Sequence, residues 1–208
     1  MPCYPTEEEL DVNDSEGKTL RHFLREYNPC MYELPAVTVD ILLFKKAADK
    51  LQILMIRRGR HPSYGLLALP GGFIEMNEEL VDSAARELFE ETGVSGVPLI
   101  QLGAYGALGR DPRMRIVSVA FAAVISHDVA YKAGDDADDA AFFTIFTEKA
   151  KNGDRTNYLL TVQNENATAT AQIDEFHGKR SIIRSEIASD HSLMILDGLE
   201  RLNLLDNY

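Results

Sequence analysis

The chain has 208 residues and a formal net charge of −12, enough length for one sizeable core with extensions. That charge argues against a nucleic-acid backbone as the main partner, because such binding needs basic patches, while a local basic cluster could still hold a small phosphate ligand. No apolar run reaches the ~20 residues of a membrane-spanning helix, so no membrane contact is expected.

The first residues, MPCYPTEEELDVNDSEG, are acidic and polar and lack the basic start and apolar middle of a signal peptide. Cys3 and Cys30 form neither a metal spacing nor a disulfide framework. A cytoplasmic protein is therefore expected. Residues 1–17 read as a loose arm, with Ser15 as a candidate cap for a helix over 18–27. Leu20, Phe23, Leu24 and Tyr27 form that helix's apolar stripe, and Pro29 stops it. The arm and short helix occupy 1–34, and one domain takes up 35–208.

After Pro35, AVTVDILLF (36–44) is β-branched and apolar and reads as a buried strand. A polar turn at 45–50 leads to a returning strand, LQILMIRR (51–58). GRHPSYG (59–65) is a loop by its Gly and Pro, and LLALP (66–70) is a short strand. A helix is expected from Glu79 to Thr92, with Ala84, Ala85, Leu88 and Phe89 facing the sheet and Gly93 ending it. VPLIQLGAYGALG (97–109) and MRIVSVAFAAVI (114–125) read as strands on either side of the polar turn RDPR, the second of them central. AGDDADDA (133–140) is an acidic loop before a strand at 141–146. Residues 155–176 look like an inserted polar-faced hairpin, serving as a lid or a dimer surface. The last element is a helix over 186–205, with Ile187, Leu193, Met194, Leu196, Leu199 and Leu202 inward.

The stretch 71–94, GGFIEMNEELVDSAARELFEETGV, carries the chemistry. Glu87, Glu90 and Glu91 are spaced i, i+3, i+4, so one helix face holds three carboxylates. Like charges side by side gain little unless a cation sits among them, and hard divalent cations prefer oxygen ligands. The glycine pair before the helix lets backbone approach a ligand closely.

Gly72, Glu78, Arg86, Glu87, Leu88, Glu90, Glu91, Gly93 and Val94 fill every fixed position of G-x5-E-x7-R-E-U-x-E-E-x-G-U, where U is aliphatic. The stretch thus resembles the Nudix box. The resemblance implies an α/β/α sandwich with a mixed sheet, the box helix and the C-terminal helix on opposite faces, and an extra β-hairpin. It also implies hydrolysis of a nucleoside diphosphate linked to another group, with Mg2+ or Mn2+ bound. Glu87 and Glu91 become the expected metal ligands and catalytic carboxylates, with Glu90 beside them and the Gly71 carbonyl as a further ligand. Glu78 and Arg86 are expected to be structural, as an ion pair that holds the loop, and Gly72 and Gly93 serve the turn geometry.

Outside the box, counting back six residues from Phe142 gives Asp136 as a further metal ligand, with Asp135 or a merely solvated turn as alternatives. Arg110-Asp111-Pro112-Arg113, TVD on the first strand and LPGGF before the box resemble the branch of ADP-ribose pyrophosphatases and NAD-metabolism repressors. That resemblance, over about residues 35–146, makes ADP-ribose the leading substrate, with AMP and ribose 5-phosphate as products. Arg113 becomes a phosphate contact or else a turn salt bridge, with Asp111 beside it. Arg57, Arg58 and Arg60 form a basic patch just before the box or else a solvated strand end, with Arg58 the one expected to meet substrate. The branch carries a bulky aromatic before LPGG where this chain has Leu66 and Leu67; Tyr64 or Phe73 supplies a base-stacking surface instead, or else is core. His61, His127 and His177 read as surface residues. Two other readings stay open: a nucleotide sensor without catalysis, and a hydrolase of non-standard nucleoside triphosphates or nucleotide sugars. Residues 147–208 carry no basic recognition helix, so a DNA-binding repressor is not expected. A homodimer is compatible with the arm and the hairpin.

Overall fold

A computed structural model describes residues 5–132 and 137–205. Asp135 and Asp136 therefore lie outside the described residues. Two compact units emerge, Met1–Leu34 and Pro35–Tyr208.

In the first unit, α1 (Glu7–Leu10) is closed by a reciprocal box in which Thr6 and Glu9 satisfy each other's backbone. The second helix, α2 (Leu20–Glu26), is capped by Thr19 rather than Ser15, its hydroxyl accepting the His22 N–H. Arg21 ties the two helices through Glu7 and Asp11. A short 3-10 turn spans Pro29–Met31.

The second unit is built on one mixed sheet. Its strands are β1 (Ala36–Ala47), β2 (Lys50–Arg58), β3 (Leu67–Ala68), β4 (Gly71–Phe73), β5 (Ile100–Tyr105), β6 (Ile116–Ile125), β7 (Ala137–Asn152), β8 (Arg155–Gln163), β9 (Thr168–Phe176) and β10 (Lys179–Ser185). Their order is β10-β9-β8-β7-β2-β1-β6-β5, with β3 against β2 and β4 against β1. β1 and β6, the sixth and seventh strands in that order, run parallel from Ala36↔Ile116 to Lys45↔Ile125, so β6 is interior but lies next to the β5 edge and is not the expected central strand. Both strands are buried almost throughout, as parallel strands covered on both faces must be.

Two helices cover the sheet, and the alternation of β1 separates them. Val39, Ile41 and Leu43 share a core with Ala84 and Leu88 of the box helix α3 (Leu80–Thr92). Leu42 and Phe44 share the other core with Met194, Ile195 and Leu199 of α4 (His191–Arg201). The expected sandwich is thus the observed one. Gly198 lets α4 come close to β1: a Cβ there would lie 2.7 Å from Leu42 Cδ2. No helix among the described residues is long and apolar enough to cross a membrane.

Further expectations need correction. The acidic loop expected over 133–140 gives way to β7 at Ala137, ahead of the expected strand start at 141. The inward residues of α3 are Ser83, Ala84, Leu88 and Thr92, while Ala85 is exposed and Phe89 is 55% exposed. Each sits about 100° around the helix from its inward neighbour, which carries it past the sheet to solvent. Helix α4 starts at His191, not Glu186. The residues before it form β10 and a crossing segment, in which Glu186 is held by Thr170 and Ala188 N–H bonds Leu67 carbonyl at 2.8 Å. Ile195 joins Met194, Leu196 and Leu199 on the buried side, and Leu193 and Leu202 are only half-buried. The stretch 155–176 is indeed a hairpin, β8 with β9, but it continues a meander from β7 to β10 instead of standing apart.

Candidate active site

The site opens where the sheet forks. Over Phe44–Ala47, β1 pairs with β2; over Thr38–Asp40 its partner on that edge is β4. There β2 has moved away to pair with β3 and β7. The gap is a cavity of about 630 Å³ lined from both prongs, by Thr38, Asp40 and Gly71 on one side and Ile56 and Arg58 on the other. The acidic face of α3 closes it with Glu87, Glu90 and Glu91, and Arg110, Asp111 and Arg113 complete the wall.

At Gly71 the backbone leaves no room for a side chain, whereas a side chain on Gly72 would push the Glu87 carboxylate aside. A Cβ on Gly71 would lie 2.1 Å from the Val39 carbonyl oxygen, and one on Gly72 would lie 2.5 Å from Glu87 Oε2. The left-handed Gly93 (φ 71°) ends the helix after the last acid, its N–H bonding the Phe89 carbonyl at 2.7 Å.

Glu91 Oε2 accepts the Gly71 N–H at 2.8 Å. Burial pushes its carboxyl up to about 7 despite that hydrogen bond, and the Glu87 and Asp40 carboxylates add to the rise. Burial also raises Glu87, against the opposing pull of Arg86. Arg86 holds Glu78 at 2.9 Å, Glu87 at 2.7 Å, Glu90 at 3.0 Å and the Phe73 carbonyl at 3.1 Å. Glu78, paired in this way and also bonded by Ser83, sits below the usual carboxylate range.

Among the described residues no three acidic, histidine or cysteine side chains are drawn into a ready metal cage, since Arg86 occupies Glu87 and Glu90. The donors nonetheless fit a hard divalent cation. Two carboxylates resist ionisation in a half-buried cleft beside a backbone turn, and every donor is oxygen. A cation there supplies the positive charge that burial denies them.

Arg113 grips Asp111 through Nε and Nη2, at 3.0 and 2.9 Å, and the hydrogen bond from Arg113 holds the Asp111 carboxyl below its usual range. The Arg113 guanidinium also stacks on Phe73, 5.3 Å from the ring centroid. Phe73 is 44% exposed and faces the same cavity. Arg58 is steadied by the Pro62 carbonyl at 2.7 Å. Tyr64 is exposed and does not line the cavity, whereas His61 does.

A buried polar cluster outside the box, which no local spacing marks as functional, backs the cavity as its floor through Asp40, Arg110 and His191. Asp40, Ser118, Asp190 and His191 are all buried, and Arg110 forks onto Asp190 at 2.9 and 2.7 Å. Burial opposes the Arg110 charge, but Asp190 and Asp40 raise its pKa overall. Ser118 donates a short hydrogen bond to Asp40. Burial drives the His191 pKa down even with Asp40 nearby. The available signals were a lone aspartate in an apolar strand, TVDILLF, and an Asp-His pair opening an apolar helix.

A NUDIX domain model matches residues 34–160. The chain belongs to the Nudix family. Its chemistry is accordingly that of a Nudix hydrolase. An ADP-ribose pyrophosphatase of Methanocaldococcus jannaschii is 40% identical over 125 residues, which are 59% of this chain and 68% of that protein. The ADPR responsive transcriptional repressor NtrR of Acinetobacter baylyi is 38% identical over 119 residues, 56% of this chain but only 46% of the repressor. Among solved structures, the NUDIX domain of Shewanella oneidensis NrtR complexed with ADP ribose superposes with a TM-score of 0.63. It is 26% identical, and the match covers 89% of this chain and 99% of that one.

Proposed function

We propose that the chain hydrolyses ADP-ribose to AMP and ribose 5-phosphate with Mg2+ or Mn2+ bound. The observation that carries the reading is that one cavity is lined both by the acidic residues Glu87, Glu90 and Glu91 and by the arginines Arg58 and Arg113. A pyrophosphate needs both: oxygen donors that hold a cation against it, and planar cations that grip its oxygens in pairs. The similarity to an ADP-ribose pyrophosphatase, and to a domain seen with ADP ribose, favours that substrate over other nucleotides.

When bound, the metal would neutralise phosphate oxygens and lower the pKa of water. Glu87, Glu91 and the Gly71 carbonyl would hold it, with Glu90 at the solvent edge. Gly71 N–H fixes one oxygen of Glu91, and Arg86 keeps Glu87 and Glu90 on the cavity side. Arg113, backed by Asp111 and Phe73, orients a phosphate, and Phe73 offers a flat apolar surface to a base. The reaction puts the water oxygen on one phosphorus; the other phosphate leaves with the bridging oxygen.

The test is product analysis with Mg2+ or Mn2+ and a panel of ADP-ribose, nucleotide sugars, dinucleotides and nucleoside triphosphates. AMP and ribose 5-phosphate formed from ADP-ribose faster than from the rest is expected. Tight ADP-ribose binding with no turnover of any compound would instead support the sensor reading, which the similarity to the repressor motivates.

A further inference from the structure

The start of α4 lies on the cavity floor, and none of the chemistry proposed above uses it. His191 is 6% exposed, and both ring nitrogens are engaged. Nδ1 accepts the Leu69 N–H at 2.9 Å. An accepting Nδ1 puts the proton of the neutral ring on Nε2, and Nε2 faces Asp40 Oδ1 at 3.4 Å. The two groups it contacts both adjoin the metal loop. Leu69 is two residues before Gly71, and Pro70 carbonyl accepts the Ile41 N–H at 2.8 Å. Asp40 is the register partner of Gly71, and Gly71 N–H in turn holds Glu91.

We propose that His191 is a positioning residue for the divalent-metal site, setting the Leu69–Gly71 segment so that the Gly71 backbone and Glu91 meet the cation in the right place. The inference rests on the metal-dependent reading above. The physical argument is that a buried N–H must have an acceptor. Without the imidazole, Leu69 N–H would shift to find another partner and carry Gly71 with it. Sites of this kind tolerate displacements of only about 0.5 Å. An ordinary core histidine differs in one respect: its loss lowers stability but leaves the metal affinity of the folded molecules unchanged.

The test compares His191→Ala, which offers no acceptor, with His191→Asn, whose amide oxygen can stand where Nδ1 stood. Mn2+ affinity is measured by the electron paramagnetic resonance of free Mn2+, and Leu69 amide exchange by hydrogen–deuterium exchange. Turnover of ADP-ribose is measured at saturating metal. The alanine variant should bind Mn2+ about 10- to 100-fold more weakly, the usual effect of losing support behind a metal ligand. Its kcat should fall with KM changed less than about twofold, because ground-state binding is untouched. Leu69 exchange should quicken, and the asparagine variant should recover most of all three. A folded alanine variant with wild-type Mn2+ affinity overturns the proposal, and so does an asparagine variant as impaired as alanine. If the alanine variant does not fold, His191→Leu, which fills the space without an acceptor, takes its place: Mn2+ binding weakened about tenfold or more with quickened Leu69 exchange supports the role, and wild-type Mn2+ affinity refutes it. Wild-type protein that binds no Mn2+ overturns the metal reading and this inference with it, an outcome distinct from a loss confined to the variants.

Discussion

Glu91→Gln should stabilise the metal-free protein while abolishing its chemistry. The Glu91 carboxyl is pushed up to about 7 from 4.5, mainly by burial, with Glu87 and Asp40 adding to it and Gly71 N–H and Arg58 opposing. An acid raised in the folded state keeps its proton there while the unfolded chain releases it. Stability is therefore lost as pH rises from about 4.5 to 7, and the loss stays constant above that. At 1.36 kcal/mol per unit, the rise from 4.5 to about 7 amounts to about 3 kcal/mol at pH 8 without metal. Glutamine keeps an oxygen for Gly71 N–H and carries no charge. Urea unfolding in EDTA should show the variant more stable by about that amount at pH 8 and equal to wild type near pH 4.5. Adding Mg2+ at ten times its dissociation constant should stabilise wild type by about 1.4 kcal/mol and the variant far less. Turnover should fall at least about 100-fold, the upper end for losing even an indirect metal contact. A variant less stable than wild type at pH 8 in EDTA, or one that keeps its turnover, would refute the reasoning.

Arg113→Ala should raise KM for ADP-ribose about tenfold with kcat unchanged, since the lost fork grips substrate and transition state alike; steady-state kinetics showing an unchanged KM would remove Arg113 from the site. Gly72→Ala should fold normally by circular dichroism yet bind Mn2+ more than about tenfold more weakly. Its Cβ would displace the flexible Glu87 carboxylate, not backbone. Gly198→Ala sets a helix gain of about 1 kcal/mol against about 1–3 kcal/mol of overpacking on Leu42. A net loss of about 1 kcal/mol in urea unfolding is expected, and a net gain would show that Leu42 can yield. His191 is faced by Asp40 and Asp190, which raise its pKa, and by Arg110 and Arg58, which lower it, but burial dominates and holds it down. Its neutral form thus adds stability above the unfolded pKa of about 6.5, and the contribution fades as pH falls below that. The pH–stability slope between 6.5 and 5 should flatten in His191→Asn; an unchanged slope would assign the effect to other groups.

The sequence made the catalytic end of the molecule readable because that end is written in one continuous stretch. Every box residue from Gly72 to Val94 lies within a turn and a helix, so spacing alone puts Glu87 and Glu91 on one face. The phase of the helix was less readable. Ala84 and Ala85, or Leu88 and Phe89, are equally apolar as letters, and only the position of β1 decides which of each pair is buried. The hairpin at 155–176 was visible by alternation, but β10 was not: KRSIIRS alternates poorly and lies at the sheet edge, where burial is slight. The floor of the cavity was hidden for a different reason. Asp40 and His191 are 151 residues apart in number, and their meeting depends on a helix returning across the sheet to end its approach at that point. No local pattern encodes such a contact.

The same strand explains why metal loop and floor are neighbours. Along β1, even-numbered side chains face α4, and Leu42 and Phe44 spend that face on apolar core. Two residues earlier the helix has run out, and at Asp40 the even face meets its first residue, His191, in place of an apolar side chain. At the same level the opposite prong of the fork has pulled away, and β4 has entered with Gly71. A carboxylate at position 40 is therefore where the sheet stops being core and becomes site. Buried charge of this kind is seldom the most stable solution, and apolar replacements are often neutral or stabilising. Its presence among Arg110, Asp190 and His191 is better explained by what it holds, the turn beneath Glu91, than by any contribution to the fold.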